Sequence, residues 1–175
     1  MDTLIPTNQP APGFSLHDLE GGLHRLEEAR GRILVLNFWS AECPWVERAD
    51  RELVKYLSRW SEGVLLWTVA SNADESSGLL QRVAEQRGLP LVLTDDRHLV
   101  ADLFGAQATP HFFVIDGLGI LRYQGALDDV TFRQREARRF YLHEAVQTLL
   151  EGRLPDPAET LAYGCSIVRH SLGSG

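Results

Sequence analysis

The chain has 175 residues, 44% of them hydrophobic and 23% charged, enough for one substantial core and short for two. Its 24 acidic and 17 basic residues leave a formal net charge of −7, which disfavours nucleic acid or an anionic membrane as the main partner. Two cysteines make neither a disulfide-stapled scaffold nor a four-thiolate zinc site, and no histidine pair has ligand spacing.

Residues 1–12, with three prolines, read as an irregular arm leading into a short extended segment at Phe14–Leu16. Their first ten, MDTLIPTNQP, lack the basic and apolar regions of a signal peptide, so the expected compartment is cytoplasmic, the alternative being a periplasmic form that has lost its signal. A turn at Gly21–Gly22 and a helical turn at Leu26–Ala29 precede Ile33–Trp39, a non-alternating apolar run typical of a strand covered on both faces. The longest apolar stretches, Ile33–Leu36 and Val64–Trp67, are strand-sized, far below the roughly 20 residues of a membrane span. From Pro44 the period changes: Val46, Ala49, Leu53, Leu57 and Trp60 recur every three or four residues, and proline suits the first turn of such a helix.

A strand over Val64–Ser71, a helix over Ser76–Gln86, a short strand over Leu91–Thr94 and a short helix over His98–Phe104 follow. His111–Asp116, the turn Gly117-Leu118-Gly119 and Ile120–Gln124 form a hairpin. A long helix is expected from about Val130 to Leu150, with Phe132, Ala137, Phe140, Tyr141, Val146, Leu149 and Leu150 on one face. The tail, Gly152–Gly175, has little periodicity but carries the second cysteine. A mixed sheet with helices on both faces is the simplest way to bury these elements, giving one α/β domain over 1–175 with a core at about 9–151 and a tail at 152–175.

Cys43 stands just after a buried strand, in the first turn of a helix. Unpaired N–H groups and the helix dipole there favour the nucleophilic thiolate, whereas burial favours an inert thiol; the residues alone leave both readings open. Gln9-Pro10-Ala11-Pro12-Gly13-Phe14-Ser15-Leu16, Leu36-Asn37-Phe38-Trp39-Ser40-Ala41-Glu42-Cys43-Pro44, Ala108-Thr109-Pro110 and Phe113-Val114-Ile115-Asp116-Gly117 together resemble the redoxin branch of the thioredoxin superfamily, over roughly residues 9–128. That branch contains thiol–disulfide reductases and AhpC/TSA-type peroxiredoxins. The resemblance implies a thioredoxin-like sheet, Cys43 at the mouth of the first helix, and Thr109-Pro110 as a cis-proline loop beside it. Tyr163-Gly164-Cys165-Ser166-Ile167 resembles the late Gly-Cys-Ser-Ile segment of one redoxin subgroup, which points to Cys165 as the partner of Cys43.

The chain also departs from the branch. Val46 stands where Cys-x-x-Cys reductases carry their resolving thiol, so an intramolecular second thiol must come from the tail, the alternative being an enzyme that works with one cysteine. Cys165 then resolves Cys43 within one monomer or between two copies, the latter making a homodimer part of the mechanism; otherwise it packs as a small apolar residue or lies loose in the tail. Glu42 replaces the usual tryptophan and either opposes the thiolate or stands solvated. The peroxiredoxin hydroxyl position is held by Ser40, while Leu36 occupies the proline position. Arg122 is the candidate for the peroxide-binding arginine, the alternative being a surface arginine. Asn37 and His111 flank the same strand ends, His111 titrating near neutral pH if exposed. The expected activity is reduction of a disulfide or peroxide by Cys43, with an external thiol reductant, either a thioredoxin-like protein or a small thiol, and no cofactor. A thioredoxin-fold binding module without turnover is the competing class.

Overall fold

The computed structural model describes residues 4–60 and 62–170. Two antiparallel strands open the fold, β1 (Ser15–Asp18) and β2 (Leu23–Arg25). Asp18 closes the turn between them by accepting the amides of Glu20 and Gly22, both at 2.9 Å. A single 3₁₀ turn (Leu26–Ala29) leads into β3 (Ile33–Trp39), buried at every position. Then come α1 (Pro44–Leu57), β4 (Val64–Ala70), α2 (Ser77–Arg87), β5 (Val92–Thr94) and α3 (Leu99–Phe104). Ser76 caps α2 by accepting the Leu79 amide. The two-residue β6 (Ala108–Thr109) precedes the hairpin β7 (His111–Ile115) and β8 (Leu121–Gly125), followed by α4 (Tyr141–Leu150) and the two-residue β9 (Cys165–Ser166). Among the described residues no helix is long and apolar enough to cross a membrane.

The main sheet runs β2-β1-β5-β4-β3-β7-β8. β3, β4 and β5 are mutually parallel, and β7 joins β3 antiparallel in the register Phe38↔His111 to Leu34↔Ile115. Alternation along β3 divides the core. Ile33 and Val35 pack with Ala49, Leu53 and Tyr56 of α1 and with Leu142, Ala145 and Val146 of α4. Leu34, Leu36 and Phe38 face the other way, onto Val100, Ala101 and Phe104 of α3. α2 joins the α1 side through Leu80 and Ala84, against Ala70 and Val92. The chain leaves β3 toward β4 and returns beside it as β7, which puts a crevice beyond the carboxyl end of β3, where open α/β sheets place their sites. Cys43 starts α1 at that crevice.

Two expectations are corrected. The long helix over 130–150 is only α4, Tyr141–Leu150. Upstream of it, side chains capture backbone amides: Asp128 takes that of Val130, Thr131 those of Arg133 and Gln134, and Asp129 those of Arg138 and Arg139. These short-range bonds offer the backbone an alternative to helix, and Phe132, assigned to the buried face, is 71% exposed. The tail is also more than an appendage. Ala158 and Thr160 bond the backbone of Gln124, and Thr160 sits so close that a Cβ on Gly125 (φ 142°) would lie 2.1 Å from its Oγ1. The chain then crosses to the end of the sheet that carries Cys43.

Candidate active site

Strand β3 ends at Trp39 and the next four residues turn into α1, with Cys43 extended (φ −81°, ψ 123°) as the residue that caps the helix. Pro44 follows at the start of the helix, where its missing N–H removes no helical bond. The turn is held from outside by Glu75, whose Oε1 accepts from the amides of Ala41 and Glu42 and the hydroxyl of Ser40. Burial pushes the Glu75 carboxyl above its ordinary value. Beneath the turn, Trp39 Nε1 donates to Asp50 at 2.8 Å, and Arg87 bridges Asp50 at 2.9 Å and the Ala41 carbonyl at 2.9 Å. Burial raises the Asp50 carboxyl too, against the opposing pull of Trp39 and Arg87.

Cys43 is joined by a disulfide to Cys165, with the two Cα atoms 6.2 Å apart, inside the usual range for a bridged pair. The pairing lies within one chain, 122 residues apart in sequence. Thr109–Pro110 is cis, and the Thr109 carbonyl oxygen is 3.4 Å from Cys43 Sγ, where it would accept a bond from the reduced thiol. The tail strand reaches the sulfur by pairing β9 antiparallel with β6, Thr109↔Cys165 and Ala108↔Ser166. Gly164 makes this approach possible: a Cβ there would lie 1.9 Å from the Thr109 oxygen and 3.0 Å from Pro110 Cδ. On either side of the strand, Tyr163 packs edge-to-face on Trp45 at 4.8 Å and Ile167 is buried in the core.

The other candidates fall in three places. Ser40 is buried, but its hydroxyl is committed to Glu75 and accepts the Glu42 amide. Glu42 is exposed to solvent. His111 is buried, stacks on Phe113 at 4.5 Å and is pushed down to about 4 by burial, so it stays neutral at physiological pH instead of titrating near 7. Asn37 lies fully buried on β3 with neither polar side-chain atom partnered. Arg122 is not brought to the sulfur. Its register neighbours put it at the hairpin end of β8, the opposite end of the sheet, where its guanidinium donates to Asp116 at 2.7 Å and Asn8 at 2.9 Å. Sequence reading missed Glu75, Asp50, Arg87 and the seat for Gly164. Only Gly164, standing beside the second cysteine, carried a signal in the sequence.

The comparisons with known proteins fit this geometry. The thiol-disulfide oxidoreductase ResA of Halalkalibacterium halodurans is 33% identical over 119 residues, 67% of this chain and 66% of that protein. The thiol:disulfide interchange protein DsbE of Yersinia pestis is 30% identical over 134 residues, 72% of this chain and 68% of its own length. The crystal structure of an uncharacterized conserved protein from Geobacillus kaustophilus superposes with a TM-score of 0.88 at 29% identity, covering 98% of this chain and 96% of the other. Cys43 and Cys165 form the disulfide of a thiol–disulfide oxidoreductase site. The cytoplasmic expectation is overturned by the same company. Alongside the DsbE relatives stands a secreted Mycobacterium tuberculosis disulfide oxidoreductase described as homologous to Escherichia coli DsbE, with a TM-score of 0.56 at 19% identity over 62% of this chain and 79% of that one. The lack of basic and apolar leader regions in the first ten residues does not fix the compartment. The family model described as AhpC/TSA matches residues 7–124, from the N-terminal arm through the crevice to β8, and the chain belongs to that family.

Proposed function

We propose that the protein reduces disulfides in polypeptide partners through a Cys43/Cys165 dithiol. The observation that supports this reading is the seating of Cys165 on the cis-proline loop, bonded to the cysteine at the mouth of α1. The Cys43 thiolate attacks one sulfur of the partner's disulfide; a mixed disulfide forms and the other partner sulfur leaves as a thiolate that takes up a proton. Cys165 then attacks Cys43 Sγ, releases the second partner thiol and closes the Cys43–Cys165 bond. The partner gains two electrons and the pair loses two. An external dithiol, as a thioredoxin-like protein, returns the pair to the reduced form; a small thiol does the same in two steps.

Peroxide is the less favoured acceptor, because Arg122 is engaged by Asp116 and Asn8 and Ser40 by Glu75. The test compares turnover of the reduced chain on a peptide disulfide and on hydrogen peroxide. Peptide reduction at least tenfold faster, falling to accumulated mixed disulfide in C165S, is the expected result. Faster peroxide turnover, with sulfenic acid at Cys43, overturns it.

A further inference from the structure

The two cysteines of the pair are unequally covered. Cys43 is 4% exposed, roofed by the Thr109 carbonyl and by the tail strand itself. Cys165 is only half-buried. The cover is anchored at both flanks. Before the strand, Tyr163 packs on Trp45 and its hydroxyl accepts the Phe132 amide at 2.8 Å. After it, Ile167 sits in the core, and the Val168 amide donates to Asn72 at 2.8 Å while its carbonyl accepts from Ala73 at 2.8 Å. Arg169 follows, bonded to Asp102 and to the Ala106 carbonyl. An incoming thiol therefore meets Cys165 in place, but reaches Cys43 only after this whole strap has been lifted.

Leaving-group chemistry points the same way. Exchange is faster when the departing sulfur is the better-stabilised thiolate. Attack on Cys165 expels Cys43, which departs at the N-terminus of a 14-residue helix, whereas attack on Cys43 expels a thiolate from a two-residue strand with no such support.

We propose that Cys165, the tail cysteine, is the sulfur through which reducing equivalents enter, and that the helix-capping Cys43 is the leaving group of that step. The inference rests on the oxidoreductase reading above and assigns direction within it. The reductant's thiolate attacks Cys165 Sγ; a bond forms between the two, and the electron pair of the Cys43–Cys165 bond passes to Cys43 as a thiolate. The reductant's second thiolate then attacks its own sulfur in the mixed disulfide and releases Cys165, which takes up a proton. The external dithiol becomes a disulfide and the pair is left reduced by two electrons, Cys165 as a thiol and Cys43 as the thiolate. Recharging and substrate attack thus use different sulfurs: the strap stays seated while the reductant works, and with the covalent tie gone it can open for the substrate at Cys43.

The test uses the full oxidised chain and 2-mercaptoethanol as the probe thiol. Short pulses are quenched with N-ethylmaleimide and the adducts are located by peptide mass mapping, extrapolated to zero time. The expected result is at least a tenfold excess of chains with mercaptoethanol on Cys165 and maleimide on Cys43 over the reverse. An even split, or a majority on Cys43, overturns the inference and leaves the oxidoreductase reading standing. A disulfide that resists millimolar dithiothreitol until the chain is unfolded is structural, and both then fall.

Discussion

Glu75 holds three donors of the Ser40–Glu42 turn on one carboxylate oxygen, so removing its side chain strands the Ser40 hydroxyl and the Ala41 amide, both on buried residues. Glu75→Ala is expected to lower the free energy of unfolding by about 1–3 kcal/mol, and Glu75→Gln, which keeps an acceptor in place, by clearly less. Denaturant titration of the two variants checks this. His111 makes a prediction with a pH signature. Its folded-state value of about 4 lies below the ordinary 6.5, so between those limits the unfolded chain binds a proton that the folded chain refuses. Stability conferred by the neutral ring at pH 7 is therefore lost as the pH falls toward 4, by on the order of 3 kcal/mol. His111→Leu should show a shallower acid-side decline than the parent. Parallel declines would show that the ring does not carry the effect.

The three elements beneath the site are joined by one buried polar knot: Trp39 ends β3, Asp50 lies in α1, and Arg87 ends α2. Such a knot adds little relative to an apolar replacement of all its members, but removing one member leaves partly buried polar groups without a partner. Asp50→Ala is expected to cost about 1–3 kcal/mol by denaturant unfolding and to loosen the Ala41 carbonyl that Arg87 holds. The tail strand gives a different kind of prediction, because its fit is steric. Gly164→Ala puts a methyl group into the Thr109 carbonyl, so the β6–β9 pairing must shift and the two sulfurs separate. In a glutathione redox titration that variant should close its disulfide at least tenfold less favourably than the parent, with the main sheet intact by circular dichroism.

Closing the Cys43–Cys165 bond ties the start of α1 to the last strand across 122 residues. In the chain-entropy picture a loop of that length destabilises the unfolded chain by about 4–5 kcal/mol, an upper bound on what oxidation contributes. Linkage makes this reciprocal: whatever the disulfide adds to the fold, the fold adds to the disulfide, and the pair becomes harder to reduce by the same amount. Denaturant unfolding of the oxidised and reduced chains should differ by no more than that figure. C165S, which lacks the bond under all conditions, should match the reduced parent. A C165S chain as stable as the oxidised parent would mean that the closed bond adds nothing to the fold.

The amino-acid sequence by itself determined the elements whose signals are local. β3 is a run of seven apolar or β-favouring residues save Asn37, α1 has three- and four-residue spacing behind a proline, and the hairpin is marked by two glycines. It also determined, by the absence of a thiol at Val46, that any intramolecular partner of Cys43 lies in the tail. Only the tertiary structure decided what depends on groups far apart in the chain. Residues 130–140 were expected in the long helix, yet Asp128, Asp129 and Thr131 take their amides, a local competition that periodicity does not register. Glu75 meets the turn before Cys43 from 33 residues away, and Arg87 meets Asp50 from 37. Arg122 is a candidate only through the resemblance to peroxidases with a peroxide-binding arginine, whereas the antiparallel register of β7 and β8 carries it to the other end of the sheet. The seat of Cys165 needed the cis-proline loop, a neighbour without a Cβ and a strand pairing to coincide, and such a coincidence exists only once the chain has folded.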